Sequence, residues 1–286
     1  MQLTDKTKIE GKRFGEERAL YGSRGLWVLN CAFDGEEDGE SALKESSDIT
    51  VQNTLCNLRY PFWHDHGLAV LACELTEKCR AALWYSEKIS IHDSKLLGVK
   101  ALRECRDVHV DGCEIVSAEF GWSSEQVFME HTSAEGEYFM LRGKDLRFSD
   151  VTFRGKYSYQ YVENVTMENC TLDTKDAFWH ARNVTLKNCT VKGEYLAWYS
   201  ENLTMIDCRI SGTQPFCYCK GLKLVNCSME GADLAFEKSE VDATITTPVI
   251  SIKNATSGRI VLPSVGELIC TDPDAGCEIV LTESIT

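Results

Sequence analysis

In the run Asn183-Val184-Thr185-Leu186-Lys187-Asn188-Cys189-Thr190-Val191, apolar side chains alternate with polar ones, the pattern of a strand with one buried face. The same pattern returns nineteen residues later as Asn202-Leu203-Thr204-Met205-Ile206-Asp207-Cys208-Arg209-Ile210, and nineteen residues after that as Gly221-Leu222-Lys223-Leu224-Val225-Asn226-Cys227-Ser228-Met229. Counting back by the same step from Cys170 meets Val151, Thr132, Cys113 and Ser94. A fixed period over this many units identifies a solenoid, because it says which residues stack before any element is assigned.

The Asn or Asp just before the column position tolerates a left-handed backbone, so the chain is predicted to bend there and enter a second short strand. Four residues past the column, Gly98, Gly136, Gly155, Gly193, Gly212 and Gly231 recur, as at a turn with no room for a Cβ. A third segment follows, as in Ala177-Phe178-Trp179-His180 and Leu196-Ala197-Trp198-Tyr199. Three short strands and three bends per coil describe an all-β, single-stranded parallel β-helix, with equivalent strands stacked at ~4.8 Å. Helices have no place in such a repeat. Upstream, the register continues through Cys73, Thr54 and Cys31 with a few extra residues, which predicts loops. The longest loop falls in the acidic Asp34-Gly35-Glu36-Glu37-Asp38-Gly39. About eleven coils of nineteen residues are expected.

Length alone suggests two domains, but an unbroken repeat predicts one domain over residues 1–286. Residues 1–24 are expected to form an N-terminal cap and first coil, 25–240 the regular coils, and 241–286 an irregular β cap over the open end. That tail, with Pro248, Pro263 and Pro273 between short apolar runs, is also the candidate contact for a homo-oligomer.

The formal net charge of −14 argues against nucleic acid and membrane surfaces as partners, since both require a cationic footprint. No transmembrane run, phosphate-binding loop or dinucleotide fingerprint appears, and no cofactor is predicted. Fourteen cysteines are present, yet the first residues carry no apolar run of signal-peptide type, so reduced thiols in the cytoplasm are the expectation. Column cysteines read as small buried hydrophobes at a corner of the core.

The candidate chemistry lies in the third segment. Nine and ten residues after each column position, or a few more where a coil carries extra residues, come Lys44-Glu45, Trp63-His64, Trp84-Tyr85, Arg103-Glu104, Trp122-Ser123, Leu141-Arg142, Gln160-Tyr161, Trp179-His180 and Trp198-Tyr199. Five of the six tryptophans share one column, which reads either as a structural stacking ladder or as a platform for sugar rings. The neighbouring column carries carboxylates, histidines and phenols, and Arg59 and Arg80 flank it. Such groups suit a carbohydrate, whose hydroxyls need fixed hydrogen-bond partners.

Inter-coil spacing then assigns roles. Glu45 and His64 are expected roughly 5 Å apart, whereas Glu45 and Glu104 are about 14 Å apart, beyond the range of a glycosidase carboxyl pair. Glu45, His64, Asp65 and Glu104 are therefore the candidate catalytic residues, with Glu45 and His64 as acid and base. Lys44, Arg59, Trp63, Arg80, Trp84, Tyr85, Arg103, Trp122, Arg142, Tyr161 and His180 are the candidate substrate-binding residues. His64-Asp65-His66 lacks a second His-rich element, so no metal is predicted.

The stretches Phe14-Gly15-Glu16-Glu17-Arg18-Ala19-Leu20-Tyr21-Gly22, Leu58-Arg59-Tyr60-Pro61-Phe62-Trp63-His64-Asp65, Arg80-Ala81-Ala82-Leu83-Trp84-Tyr85-Ser86 and Lys100-Ala101-Leu102-Arg103-Glu104-Cys105 resemble a family of uncharacterised bacterial proteins of the same length. The resemblance implies the pectin-lyase-like, right-handed β-helix class and carries no established activity. A hydrogenase label borne by some members conflicts with the absence of any Cys-x-x-Cys here. Two functions stay open: a carbohydrate-active lyase, hydrolase or isomerase, and a non-catalytic solenoid that binds a glycan or a protein.

Overall fold

The computed structural model describes residues 5–35 and 39–282, and none of them is in an α-helix. Glu36, Glu37 and Asp38 of the expected acidic loop lie outside the described residues. The chain is a parallel β-solenoid of about 14 turns with ~19-residue spacing. The count exceeds eleven because both ends continue the coil. Thr7–Glu10 pairs in parallel with Arg24–Leu29, and Glu240–Ile245, Ser257–Leu262 and Glu278–Leu281 pair in succession. The repeat is hard to see at these ends, since Thr7–Glu10 is mostly exposed and the tail, although Glu240–Ile245 still alternates, takes a seventeen-residue step between Glu240 and Ser257.

Two compact units make up the chain, Met1–Arg147 and Phe148–Thr286. In the first, one face is built from Arg24–Leu29, Ser47–Gln52, His66–Leu71, Glu87–His92, Arg106–Asp111 and Glu125–Glu130, paired in register so that Ile49, Leu68, Ile89, Val108 and Val127 stack inside. The second face holds the short strands from Ala32–Phe33 to Ser133–Glu137. The third is a small sheet of Phe62–Trp63, Leu83–Trp84 and Leu102–Arg103. The second unit repeats the first two faces with Glu163–Glu168, Arg182–Lys187 and Glu201–Ile206, and with Thr171–Lys175, Thr190–Lys192 and Arg209–Ser211. Its third face has turns instead of strands.

The bends follow the sequence signal. Asn30, Asn53, Asp93, Asp150, Asn169, Asn188, Asp207 and Asn226 all have φ near +50°. Where Asn repeats, its amides bond across coils, as Asn188 Nδ2 does to Asn169 Oδ1 at 2.7 Å. The next residue inward is the column cysteine: Cys31, Cys73, Cys113, Cys170, Cys189, Cys208 and Cys227 are all buried and reduced. Each sulfur leans on a main-chain carbonyl of its own bend, as Cys189 Sγ does on Lys187 O at 3.3 Å. Burial pushes the Cys73 thiol up to about 11, consistent with packing and not with reactivity. Gly193 shows why the glycine column exists: with φ +155°, a Cβ there would collide with the carbonyl oxygen of Thr174.

Candidate functional site

Stacking puts the expected columns side by side. Trp63, Trp84 and Arg103 pair directly, and Arg103 bridges to Trp122. One residue on, Glu45 N, His64 N, Tyr85 N and Glu104 N each donate to the carbonyl of Trp63, Trp84, Arg103 and Trp122 in the next coil. Residues one position earlier, Phe62, Leu83 and Leu102, are fully buried, so the tryptophans face outward and are half-buried.

The faces of those indoles are largely taken. Trp63 lies 4.7 Å from the Tyr60 ring and meets Trp84 edge-on at 5.1 Å and 68°. Lys44 sits 5.5 Å above Trp63. Arg103 is intercalated, its guanidinium 4.7 Å from Trp84 and 4.6 Å from Trp122, an arrangement that suits a planar cation between two negative ring faces. Indole N–H groups are also used: Trp63 donates to Ala81 O at 2.6 Å, Trp122 to Tyr138 O at 2.8 Å and Trp84 to Glu104 Oε1 at 3.3 Å. A stacking platform for a sugar is thus not offered by the tryptophans of this unit.

What the face does present is a row of polar groups. Glu45, His64 and Arg142 are exposed, and Tyr85 is 46% exposed with its ring stacked on His64 at 5.1 Å. Glu104 is half-buried and committed to Trp84 and to Arg103 at 3.4 Å. Glu119 completes the charge network by receiving Lys100 at 3.4 Å and Arg103 at 3.7 Å. At the preceding bend, Arg59 pairs with Glu40 at 3.2 Å, and Arg80 in the next coil is exposed.

Asp65 has to be moved off this face. It is 2% exposed and faces the interior, where Oδ1 accepts from Ser46 N at 2.9 Å and Oδ2 has no hydrogen-bond partner. Burial raises its carboxyl to about 8. The position follows a left-handed residue, His64 at φ +58°, and the sharp bend turns the next side chain inward, into a column otherwise held by Ser46, Ser86, Cys105 and Ser124. The bend also separates His64 from His66, which lies 3.9 Å from Glu87. Among the described residues, no three His, Cys, Asp or Glu side chains are grouped to hold a metal ion.

Tyr161 and His180 belong to the second unit. There Tyr161, His180, Tyr199 and Tyr218 form a continuous ladder, with centroids 4.9, 4.9 and 4.7 Å apart and planes within 10°. Trp179 and Trp198 stack beside it at 5.4 Å and 6°. Sequence reasoning missed Glu119 and left Tyr218 outside the candidate set, although stepping by nineteen residues from Lys100 and Tyr199 reaches both.

A third cluster, also unforeseen, lies on the first face of the first unit. His131 Nδ1 is 2.9 Å from Asp111 Oδ1, His92 Nδ1 3.7 Å from Asp111 Oδ2, and His109 Nε2 2.8 Å from Glu130 Oε1. A hydrogen bond to His131, more than the surrounding charge, holds the Asp111 carboxyl below its usual range.

The fold and this face define a parallel β-solenoid with an aromatic and ionisable outer strip. The chain belongs to the family described as protein of unknown function (DUF3737), matched over residues 7–280. None of the curated proteins matches it. Similar solved structures include the tailspike protein of E. coli bacteriophage HK620 in complex with pentasaccharide, at 9% identity and TM-score 0.41, covering 90% of this chain and 61% of that one. The chain therefore spans about three fifths of that tailspike structure. The A-module of Azotobacter vinelandii mannuronan C-5 epimerase AlgE4 is similar at 9% identity and TM-score 0.38, covering 98% and 92%. The catalytic domain of a GH87 α-1,3-glucanase is similar at 11% identity and TM-score 0.28, covering 98% and 64%. Likenesses this distant carry no argument about activity.

Proposed function

We propose that the protein binds a carbohydrate along the outer third face of the unit Met1–Arg147, through Lys44, Glu45, His64, Tyr85 and Arg142. One observation carries this reading. Glu45, His64, Tyr85, Ser123 and Arg142 all stand at φ between +51° and +61°, where a residue with a Cβ costs roughly 1–2 kcal/mol. At the bend before the column position the same conformation is given mostly to Asn or Asp, for which it is cheap. Outward acidic, basic, imidazole and phenol groups held there at a cost point to selection for their chemistry. Recognition runs through hydroxyls: each coil offers a donor or acceptor one strand spacing, ~4.8 Å, from the next.

A second reading, turnover of the bound sugar, is favoured by Glu45 and His64 standing exposed in adjacent coils; Asp65 and Glu104 have no part in it. The buried, reduced thiols suit a reducing compartment, which we take to be the cytoplasm. The test is a glycan library screened against wild type, His64→Ala and Tyr85→Ala. At least one glycan bound by wild type should lose tenfold or more in both variants, with folding intact by circular dichroism. Equal binding of every glycan by all three proteins, or none by wild type at millimolar glycan, overturns the reading. Product formation abolished by Glu45→Gln separates the catalytic version from simple binding.

A further inference from the structure

We infer that the second unit carries a separate strip for a neutral, extended glycan of at least four residues, formed by the ladder Tyr161, His180, Tyr199 and Tyr218 with Trp179 and Trp198 beside it. The inference rests on the carbohydrate reading for its class of ligand and not for its location.

Three features of the strip define that ligand. First, the rings stack face to face within 10°, so the faces between neighbouring rungs are consumed and the ladder turns ring edges outward. Tyr161 is 50% exposed and Tyr199 43% exposed. The indole N–H groups beside them are used internally, Trp179 donating to Tyr195 O at 2.7 Å and Trp198 to Gln214 O at 2.8 Å, so the tryptophans add apolar edge and no outward donor. The strip is a row of hydroxyl-binding groups along an apolar border.

Second, it is electrically quiet. The charges around it are spent on each other: Lys175 with Glu194 at 2.9 Å, Glu237 with Lys253 at 3.0 Å, and Lys238 with Asp272 at 3.2 Å. An anionic ligand would find no available cation among these groups, on a chain of net charge −14. The strip of the first unit, with exposed Glu45 and Arg142, is of a different kind.

Third, it has a ruler. Rungs repeat at 4.9, 4.9 and 4.7 Å, so a chain lying along the ladder keeps register only if each unit advances about one inter-strand spacing, ~4.8 Å. β-1,4-linked glucans and mannans are extended ribbons that advance close to that spacing per residue, whereas α-1,4-linked glucans coil and fall out of step after a unit or two. Tyr161, His180, Tyr199 and Tyr218 all hold φ between +55° and +61°, so their outward rings carry the same backbone cost as the polar row of the first unit.

The experiment is a titration of wild type with cello-, manno- and malto-oligosaccharides of two to six residues, followed by tryptophan fluorescence and saturation-transfer NMR. Affinity for the equatorially linked series should rise up to four residues and then level off, with no binding by the maltose series. Tyr199→Phe, which keeps the ring and removes one hydroxyl, should weaken binding about five- to tenfold, and Tyr199→Ala should abolish it. His64→Ala and Tyr85→Ala in the other unit should leave it unchanged, so failure of the first site and of this one are told apart. Equal affinity for both linkage types, no length dependence, or an unaffected Tyr199→Phe variant overturns the inference.

Discussion

Phe62 and Phe178 occupy the same place in the repeat, and both are buried to 1% or less. Their backbones are opposite. Around Phe62 the chain is extended, and the amides of Leu43, Phe62 and Leu83 donate forward to Pro61, Ala82 and Ala101 of the next coil. Phe178 has φ +58°, and the amides of Phe178, Ala197 and Phe216 donate backward to Ser158, Ala177 and Leu196. Within the first unit the change occurs at Gly121, φ +79°, whose amide donates back to Leu102; Met140, φ +56°, follows suit toward Phe120. A glycine at the changeover fits, since it alone adopts that conformation without a Cβ penalty. The lesson is that one peptide orientation per coil is passed along by hydrogen bonds. It also sets the surface: rings on the extended arc meet at 68°, with Arg103 between indoles, whereas on the turned arc Trp179 and Trp198 lie parallel at 6°.

The largest expected effect tests whether the two arcs bury their residue equally. Phe62→Ala and Phe178→Ala should each cost ~3–5 kcal/mol in urea unfolding. Phe178→Leu should cost under ~1.5 kcal/mol, because Leu83 already fills the equivalent place. A Phe178→Leu loss as large as that of Phe178→Ala would mean the turned arc depends on its aromatic core stack, in which Phe178 lies 5.1 Å from Tyr159 at 11°.

Next in size is Asp65. Its carboxyl, ordinarily near 3.8, is raised to about 8, so the folded state holds a proton that the unfolded state has released. Stability is therefore lost as pH rises from about 4 to 8, by at most roughly 6 kcal/mol. Asp65→Ser installs the residue of neighbouring coils and should raise stability at pH 8 by about 2–4 kcal/mol, with little change at pH 4. A wild-type melting temperature that does not fall between pH 5 and 8 would contradict this account.

Smaller effects compare bends. Asn188→Ala removes a cheap left-handed residue and its amide bond to Asn169, and should cost about 1 kcal/mol. Glu45→Asn at the outward bend should instead gain about 0.5–1 kcal/mol while weakening ligand binding. Loss of stability in Glu45→Asn would remove the strain argument for the polar row. The smallest effect concerns Asp111, whose carboxyl is held low by His131. Its contribution is present above pH 4 and lost as pH falls through its lowered folded value. At 36% side-chain exposure this amounts to about 0.5 kcal/mol at neutral pH, seen as a slightly lower melting temperature for Asp111→Asn that vanishes in acid.

Much of this molecule is legible in its sequence. The nineteen-residue step, with two extra residues allowed between Trp63 and Trp84, aligned Trp63 with Trp84 and Arg103, and Glu45 with His64, Tyr85 and Glu104, as the strand register bears out. Asp65 was misplaced because adjacent residues were taken to share a surface, whereas the left-handed turn at His64 sends the next side chain inward. The Asp111 cluster escaped notice although His92, Asp111 and Glu130 share one nineteen-residue column, because only the columns of the third segment were weighed; His109 and His131 join from one or two positions to either side.

The sequence by itself determined the period, the inward and outward positions, and the bends at Asn188 and its equivalents, because these follow from side-chain polarity and the intrinsic ease of left-handed Asn. Only the tertiary structure decided which way the central amide of each third arc points. Phe appears in both orientations, so no local preference chooses between them; the choice rests on the carbonyls offered by adjoining coils. From it follow the intercalation of Arg103 between two indoles and the parallel ladder from Tyr161 to Tyr218.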